Sequence, residues 1–113
     1  MIQILSTETL TDIVRQCNER NTQTVILYHT DKEAKSAAEW IIPYCMTVSG
    51  APVKPDVCGI MRHFAKPTSV SFQNGSHIRC MTRKDYWNAN FTADIILYPA
   101  AENKSQIHKE DKA

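Results

Sequence analysis

The chain has 113 residues, of which 42% are apolar and 22% charged, and its net charge is +1. This length suits one domain with one core, and the composition excludes a chain that is disordered throughout. The apolar runs are far shorter than the roughly 20 residues of a membrane span, and the first residues lack the positive charge that opens a signal peptide.

The first part of the sequence alternates predicted strands and helices. Residues 1–5 form an apolar run that predicts a strand, and Ser6 or Thr7 can cap the helix that follows. Apolar residues then recur at helical spacing on one face, at Leu10, Ile13, Val14 and Cys17. A β-branched run at 24–28 is typical of a strand that is covered on both faces.

A capping box opens the second predicted helix. Thr30 offers its hydroxyl to the free amides of the first turn, and Glu33 stands where it can reach back. The inner face of this helix consists of Ala34, Ala37, Ala38 and Ile41. We expect Trp40 to lie in the core and Pro43 to bend or end the helix.

Residues 47–68 are rich in proline and glycine, and we predict an irregular crossing there with one helical turn over 57–64. A hairpin centred on Asn74 and Gly75 follows. A three-residue loop places the hairpin's apolar side chains on one face, whereas a two-residue turn mixes the faces; these side chains belong to Val70, Phe72, Ile78 and Cys80. We therefore predict the three-residue loop, with Gly75 at positive φ.

The last predicted elements are a short helix or turn at 82–88 and a buried strand at 93–98, which Pro99 ends. The whole order predicts an α/β fold: a small two-layer or three-layer sandwich whose central sheet is mainly parallel and carries an antiparallel hairpin. We assign residues 1–101 to a single domain and 102–113 to a polar, flexible tail.

The four cysteines are widely spaced, at Cys17, Cys45, Cys58 and Cys80. Two disulfides would fit the even count, but we favour buried free thiols in a reducing cytoplasm. Two alternatives stay open. One is a zinc site, whose ligands would be Cys45, Cys58 and His63 with His77 or Cys80. The other is a nucleophile pair, in which Cys58 or Cys80 would meet His29, His63 or His77.

Residues 1–103 resemble the RecA-type P-loop ATPase core of phage terminases and helicases, through the order and apolar pattern of 1–5, 25–41, 70–78 and 93–100. The resemblance implies a phosphate loop after the first strand and an acidic pair at the end of the last. Residues 6–9 are too short for such a loop and lack Gly and Lys, and Tyr98 and Pro99 stand at the acidic positions. It therefore implies a degenerate core that has lost nucleotide hydrolysis, and we predict no cofactor.

Positive charge is concentrated in the middle of the chain. Residues 54–87 carry six Lys or Arg against two Asp or Glu, while the segments 1–53 and 88–113 are each net negative. We expect the hairpin to turn its cations outward beside those of the next segment, next to two aromatic rings. The predicted binding residues are His77, Arg79, Arg83, Lys84, Tyr86 and Trp87.

Two functions follow. The first is a non-catalytic adaptor or inhibitor, of phage or mobile-element origin, that binds a larger protein or nucleic-acid machine in the cytoplasm, without membrane contact. The alternative is a nucleic-acid-binding or nuclease-type protein that uses residues 54–87, with His77 and Arg79 or His63 and Lys66 as RNase-like pairs. Salt dependence separates them, because binding through phosphates weakens steeply as the salt concentration rises.

Overall fold

The computed structural model describes residues 2–56 and 67–99 of the chain. Their elements, in chain order, are β1 (Ile2–Ile4), α1 (Thr7–Glu19), β2 (Gln23–Tyr28), α2 (Asp31–Val48), β3 (Val53–Asp56), β4 (Ser69–Phe72), β5 (His77–Thr82), α3 (Arg83–Trp87) and β6 (Ile95–Tyr98). The helical turn expected at 57–64 and the tail at 102–113 lie outside the described residues. Within them, we find no helix with the length and apolarity that crossing a membrane requires.

The strands form one sheet in the order β1-β6-β2-β5-β4-β3. β1, β6, β2 and β5 run parallel, and β4 is antiparallel to both β5 and β3. Two helices, α1 and α2, pack on one face, which we call the front face. The opposite back face is covered in part by residues 83–93, which we call the covering segment. The predicted α/β fold, a mainly parallel sheet with an antiparallel hairpin, is confirmed.

Both long helices begin at the predicted caps. The Ser6 hydroxyl accepts a hydrogen bond from the Thr9 amide at 3.1 Å, and the Thr30 hydroxyl accepts one from the Glu33 amide at 3.2 Å. The predicted inner faces of α1 and α2 are buried in the front core. Each cap therefore fixes the residue at which the helix begins, and the apolar residues at helical spacing then face the sheet.

The expected burial of Trp40 is wrong, and α2 does not end at Pro43, which was one of the two effects expected of that proline. Trp40 is 44% exposed instead of lying in the core, because it sits outside the buried stripe, and its ring packs edge-on against Tyr44 at 6.5 Å. The helix also continues through Pro43 to Val48. Pro43 lies on the exposed side of the helix, where water reaches the turn that its ring disturbs.

The hairpin has the predicted register. Val70 pairs with Ile78, and the loop of residues 73–75 is closed by a hydrogen bond of 2.9 Å from the Phe72 amide to the Ser76 carbonyl oxygen. Gly75 has φ of 91°, and a Cβ there would lie 2.8 Å from Asn21 Nδ2. The alternation of apolar and polar side chains thus predicted the length of the hairpin loop correctly.

Strand β3 lies within the stretch for which we expected an irregular crossing. Val53–Asp56 pairs antiparallel with β4 and forms the outer edge of the sheet. Pro55 argued against a strand, but an edge strand tolerates proline because one side of its backbone has no ladder to complete. Pro55 therefore belongs to an edge strand of the sheet, and contrary to our expectation it does not interrupt the regular structure.

Candidate binding surface

Side chains on the back face line up in rows across the sheet. The register places one polar row at the hairpin end, made of Lys54, Ser71, His77 and Gln23. The next row contains Ser69, Arg79, Val25, Ile96 and Ile2. The third contains Met81, Leu27, Tyr98 and Ile4. The face therefore changes from polar at β3 and β4 to apolar at β6 and β1.

Gln23 joins the two candidate residues of β5, His77 and Arg79. Its Oε1 accepts a hydrogen bond of 3.0 Å from Arg79 Nη1 and lies 3.2 Å from His77 Nδ1. Its Nε2 donates to the Gly75 carbonyl oxygen and to Asn21 Oδ1, which fixes the orientation of the amide. Since Oε1 can only accept, Nδ1 of His77 carries the proton. Both β5 side chains are half-buried and face outward from the front core, as predicted.

Arg83 contradicts the prediction of an exposed cation, because its side chain is 6% exposed. Its Nη1 lies 2.8 Å from Nδ1 of His29, and its guanidinium lies 5.4 Å from the centre of the Tyr98 ring. The strand alternation ends at Thr82, whose hydroxyl caps α3 by accepting from the Asp85 amide. Arg83 is consequently the first helical residue and turns back over the end of the sheet.

The remaining predicted residues divide into surface and support. Lys84 is exposed and Trp87 is 65% exposed, so both can reach a partner. Tyr86 is half-buried: its hydroxyl accepts a hydrogen bond from the Ala93 amide at 3.1 Å, and its ring packs against Phe91. Tyr86 therefore holds the covering segment together through its contacts with Ala93 and Phe91.

The opposite side of the back face holds an exposed apolar group that the sequence analysis did not single out. Ile2 is 53% exposed and pairs with the half-buried Ile96, and Ile4, two residues further along β1 on the same face, is 45% exposed. We call these three residues the apolar corner. The alternating Ile-Gln-Ile pattern could have revealed it, but only together with the finding that β1 is an edge strand.

A cavity of about 330 Å³ opens at the carboxyl end of β5. Its charged lining consists of two acids and two cations, and further residues also line it: Asp31, Asp85, Lys35, Arg79, Thr68, Cys80 and Met81. Carboxylates and cations are mixed around it, so the cavity offers no field of one sign to a charged ligand.

The cysteines within the described residues are structural. Cys17, Cys45 and Cys80 carry free, buried thiols, as predicted. Burial raises the pKa of the Cys17 thiol to about 11 and those of Cys45 and Cys80 to about 12. Because the thiolate is the reactive form, none of the three is suited to nucleophilic catalysis.

The zinc and nucleophile alternatives depend partly on Cys58 and His63, which lie outside the described residues. Within the part of the chain that the structure describes, no group of three or more His, Cys, Asp or Glu side chains could hold a metal ion.

The connection from β1 to α1 consists of Leu5 and Ser6 alone, and Tyr98 at the end of β6 is 5% exposed. No family model, curated protein or solved structure matches this chain. The function must therefore be argued from the geometry of its surfaces.

Proposed function

We propose that this chain is a non-catalytic binding protein, an adaptor or inhibitor, that docks a protein partner on the apolar corner. The observation that supports the proposal is that Ile2 and Ile4 continue the covered apolar rows of the back face out to solvent. Apolar side chains exposed beside one another at an otherwise packed surface are typical of an interface.

The backbone of β1 supports the same surface. The Leu5 amide donates to the Tyr98 carbonyl oxygen at 2.7 Å, so the backbone groups of Gln3 also face β6. Those of Ile2 and Ile4 therefore point away from the sheet. An extended partner segment can pair with this edge while its side chains meet the two isoleucines. The opposite edge strand contains Lys54 and Pro55, residues that discourage strand addition.

The proposal includes a scaffold that has lost nucleotide hydrolysis. The two-residue connection from β1 to α1 leaves no room for a loop that wraps phosphates, and the Tyr98 side chain packs in the back core. A degenerate P-loop-like origin, in a phage or mobile element, accounts for both features. Binding to a larger machine is then the activity that such a scaffold retains.

Capture of the partner from the native host cell tests this function. The chain, tagged at its carboxyl end, is compared with the double variant Ile2→Ser/Ile4→Ser and with Met46→Ser. Met46 is a matched control because it is 45% exposed, as Ile4 is, but lies on α2. We expect the double variant to recover at least about tenfold less partner, through lost apolar burial, and Met46→Ser to recover as much as the wild type.

Circular dichroism of each variant shows that it is folded. Equal recovery by the double variant and the wild type would place the interface elsewhere and refute the proposed surface.

A further inference from the structure

The polar end of the back face has a different chemistry from the apolar corner. We propose that Lys54, Ser71 and Arg79 bind the phosphate backbone of a single-stranded nucleic acid. These residues lie on three adjacent strands, β3, β4 and β5. The site goes beyond the proposed protein interface, which lies at the other edge of the same sheet.

Arg79 is a cation whose contacts among the described residues are all with neutral groups. Its guanidinium donates to Gln23 Oε1 at 3.0 Å and lies 4.6 Å from the centre of the Phe91 ring. The amide of Gln23 is itself fixed by two hydrogen bonds that it donates. Arg79 is thus held in place while its charge is left for an anion, an arrangement that reduces the entropy lost on binding.

Lys54 extends this positive surface to the edge of the sheet. Its side chain is exposed, and it pairs across the ladder with Ser71, which in turn pairs with His77. Strands are about 4.8 Å apart, so Lys54 and the β5 residues are separated by about 10 Å. Arg79 follows His77 by two residues along β5, so the cations Lys54 and Arg79 lie diagonally across the three strands, a spacing that suits contacts along one phosphate backbone.

Acidic residues flank this surface at its margins. Asp94 Oδ2 accepts a hydrogen bond of 2.8 Å from the Gln23 amide, at the amino end of β2. Asp31 and Asp85 line the cavity of about 330 Å³ that Arg79 also borders. The polar row itself contains no carboxylate, so the field along Lys54, Ser71 and His77 favours an anion.

The shape of the surface favours a single strand over a duplex. In the parts of β3 and β4 that the structure describes, the exposed surface is a sheet face, and none of the described helices projects from it to enter a groove. A cavity of about 260 Å³ adjoins the row, lined by Pro52, Lys54, Ser71, Phe72 and Gln73. An unstacked base can enter this cavity while Lys54 holds a neighbouring phosphate.

Fluorescence anisotropy with labelled 20-nucleotide strands of deoxythymidine and of uridine tests the inference over a range of salt concentrations. The full chain is compared with Lys54→Gln and with Lys32→Gln, which removes the same charge from an exposed position on α2. One lost phosphate contact lowers the slope of log K against log salt by about 0.7 and weakens binding about fivefold at 0.1 M salt. We expect this change for Lys54→Gln and none for Lys32→Gln.

Four outcomes would overturn the inference. The first is that neither strand binds in a salt-dependent way, and the second is that Lys54→Gln binds as tightly as the wild type. The third is an equal loss of binding in both variants. The fourth is that a 20-residue polyglutamate displaces the labelled strand as efficiently as the unlabelled strand does. Arg79→Gln provides a second readout, in which a folded variant must also show a smaller slope. The capture experiment on Ile2 and Ile4 is independent, so either result can fail without the other.

Discussion

The two faces of the sheet differ in how completely they are covered. On the front face, α1 and α2 leave Ile26, Ile78 and Leu97 no more than 1% exposed. On the back face, the covering segment buries Val25 and Leu27, but the apolar corner at one side and Lys54 at the other stay exposed. Since buried apolar area is the main source of stability, the front face contributes more to the stability of the fold than the back face does.

The largest difference that this comparison predicts is in thiol reactivity. In a Cys58→Ser background, the three front-face thiols should react with a thiol reagent at pH 8 at least about a hundredfold more slowly in the folded than in the unfolded chain. Burial causes this, because it both blocks access and raises their pKa values from 9.0 to about 11 or 12. Absorbance of the released chromophore measures the rates, and fast reaction of the folded chain would show that the front face opens.

The same raised pKa values predict how stability depends on pH. The folded state holds the three thiol protons more tightly than the unfolded state does, so the stabilisation is fully present below pH 9 and is lost as the pH rises toward 11. Urea unfolding of the same Cys58→Ser background at pH 8 and pH 10 checks this direction. A free energy of unfolding that does not fall would contradict it.

A smaller effect separates two neighbouring cations on α3. Arg83→Met should lower the free energy of unfolding by about 1–3 kcal/mol, because it removes the contacts of a buried guanidinium with His29 and the Tyr98 ring. Lys84→Met should change it by less than about 0.5 kcal/mol, since Lys84 is exposed. Urea unfolding measures the free energy of unfolding of both variants. Equal losses in the two variants would mean that the Arg83 side chain contributes no more to stability than an exposed one.

The fold was largely predictable because its signals are local. The Ser6 and Thr30 caps, the helical spacing on α1 and the alternation around Gly75 each depend on residues close together in the sequence. Apolar periodicity then states which side of each element is buried. Strand order was beyond this reasoning, because it depends on contacts between distant segments.

The candidate site was predicted less well, for the same physical reason. Arg83 was expected on the surface because charge alone was counted, whereas its exposure depends on where β5 ends and α3 begins. The uncovered position of Ile2 and Ile4 depends on β1 being an edge, which needs the pairing of β1 with β6. His77 and Arg79 were correctly predicted to face outward, because the alternation of side chains along β5 determines their direction.

The central claim, that partners bind the back face, is tested most directly by amide NMR shifts of the ¹⁵N-labelled chain when the captured protein partner is added. The account predicts that the largest changes fall on β1 and on the end of β6 beside it, while the exposed residues of α1 and α2 keep their shifts. Changes concentrated on α1 and α2 would contradict it, because the front helices would then be the interface.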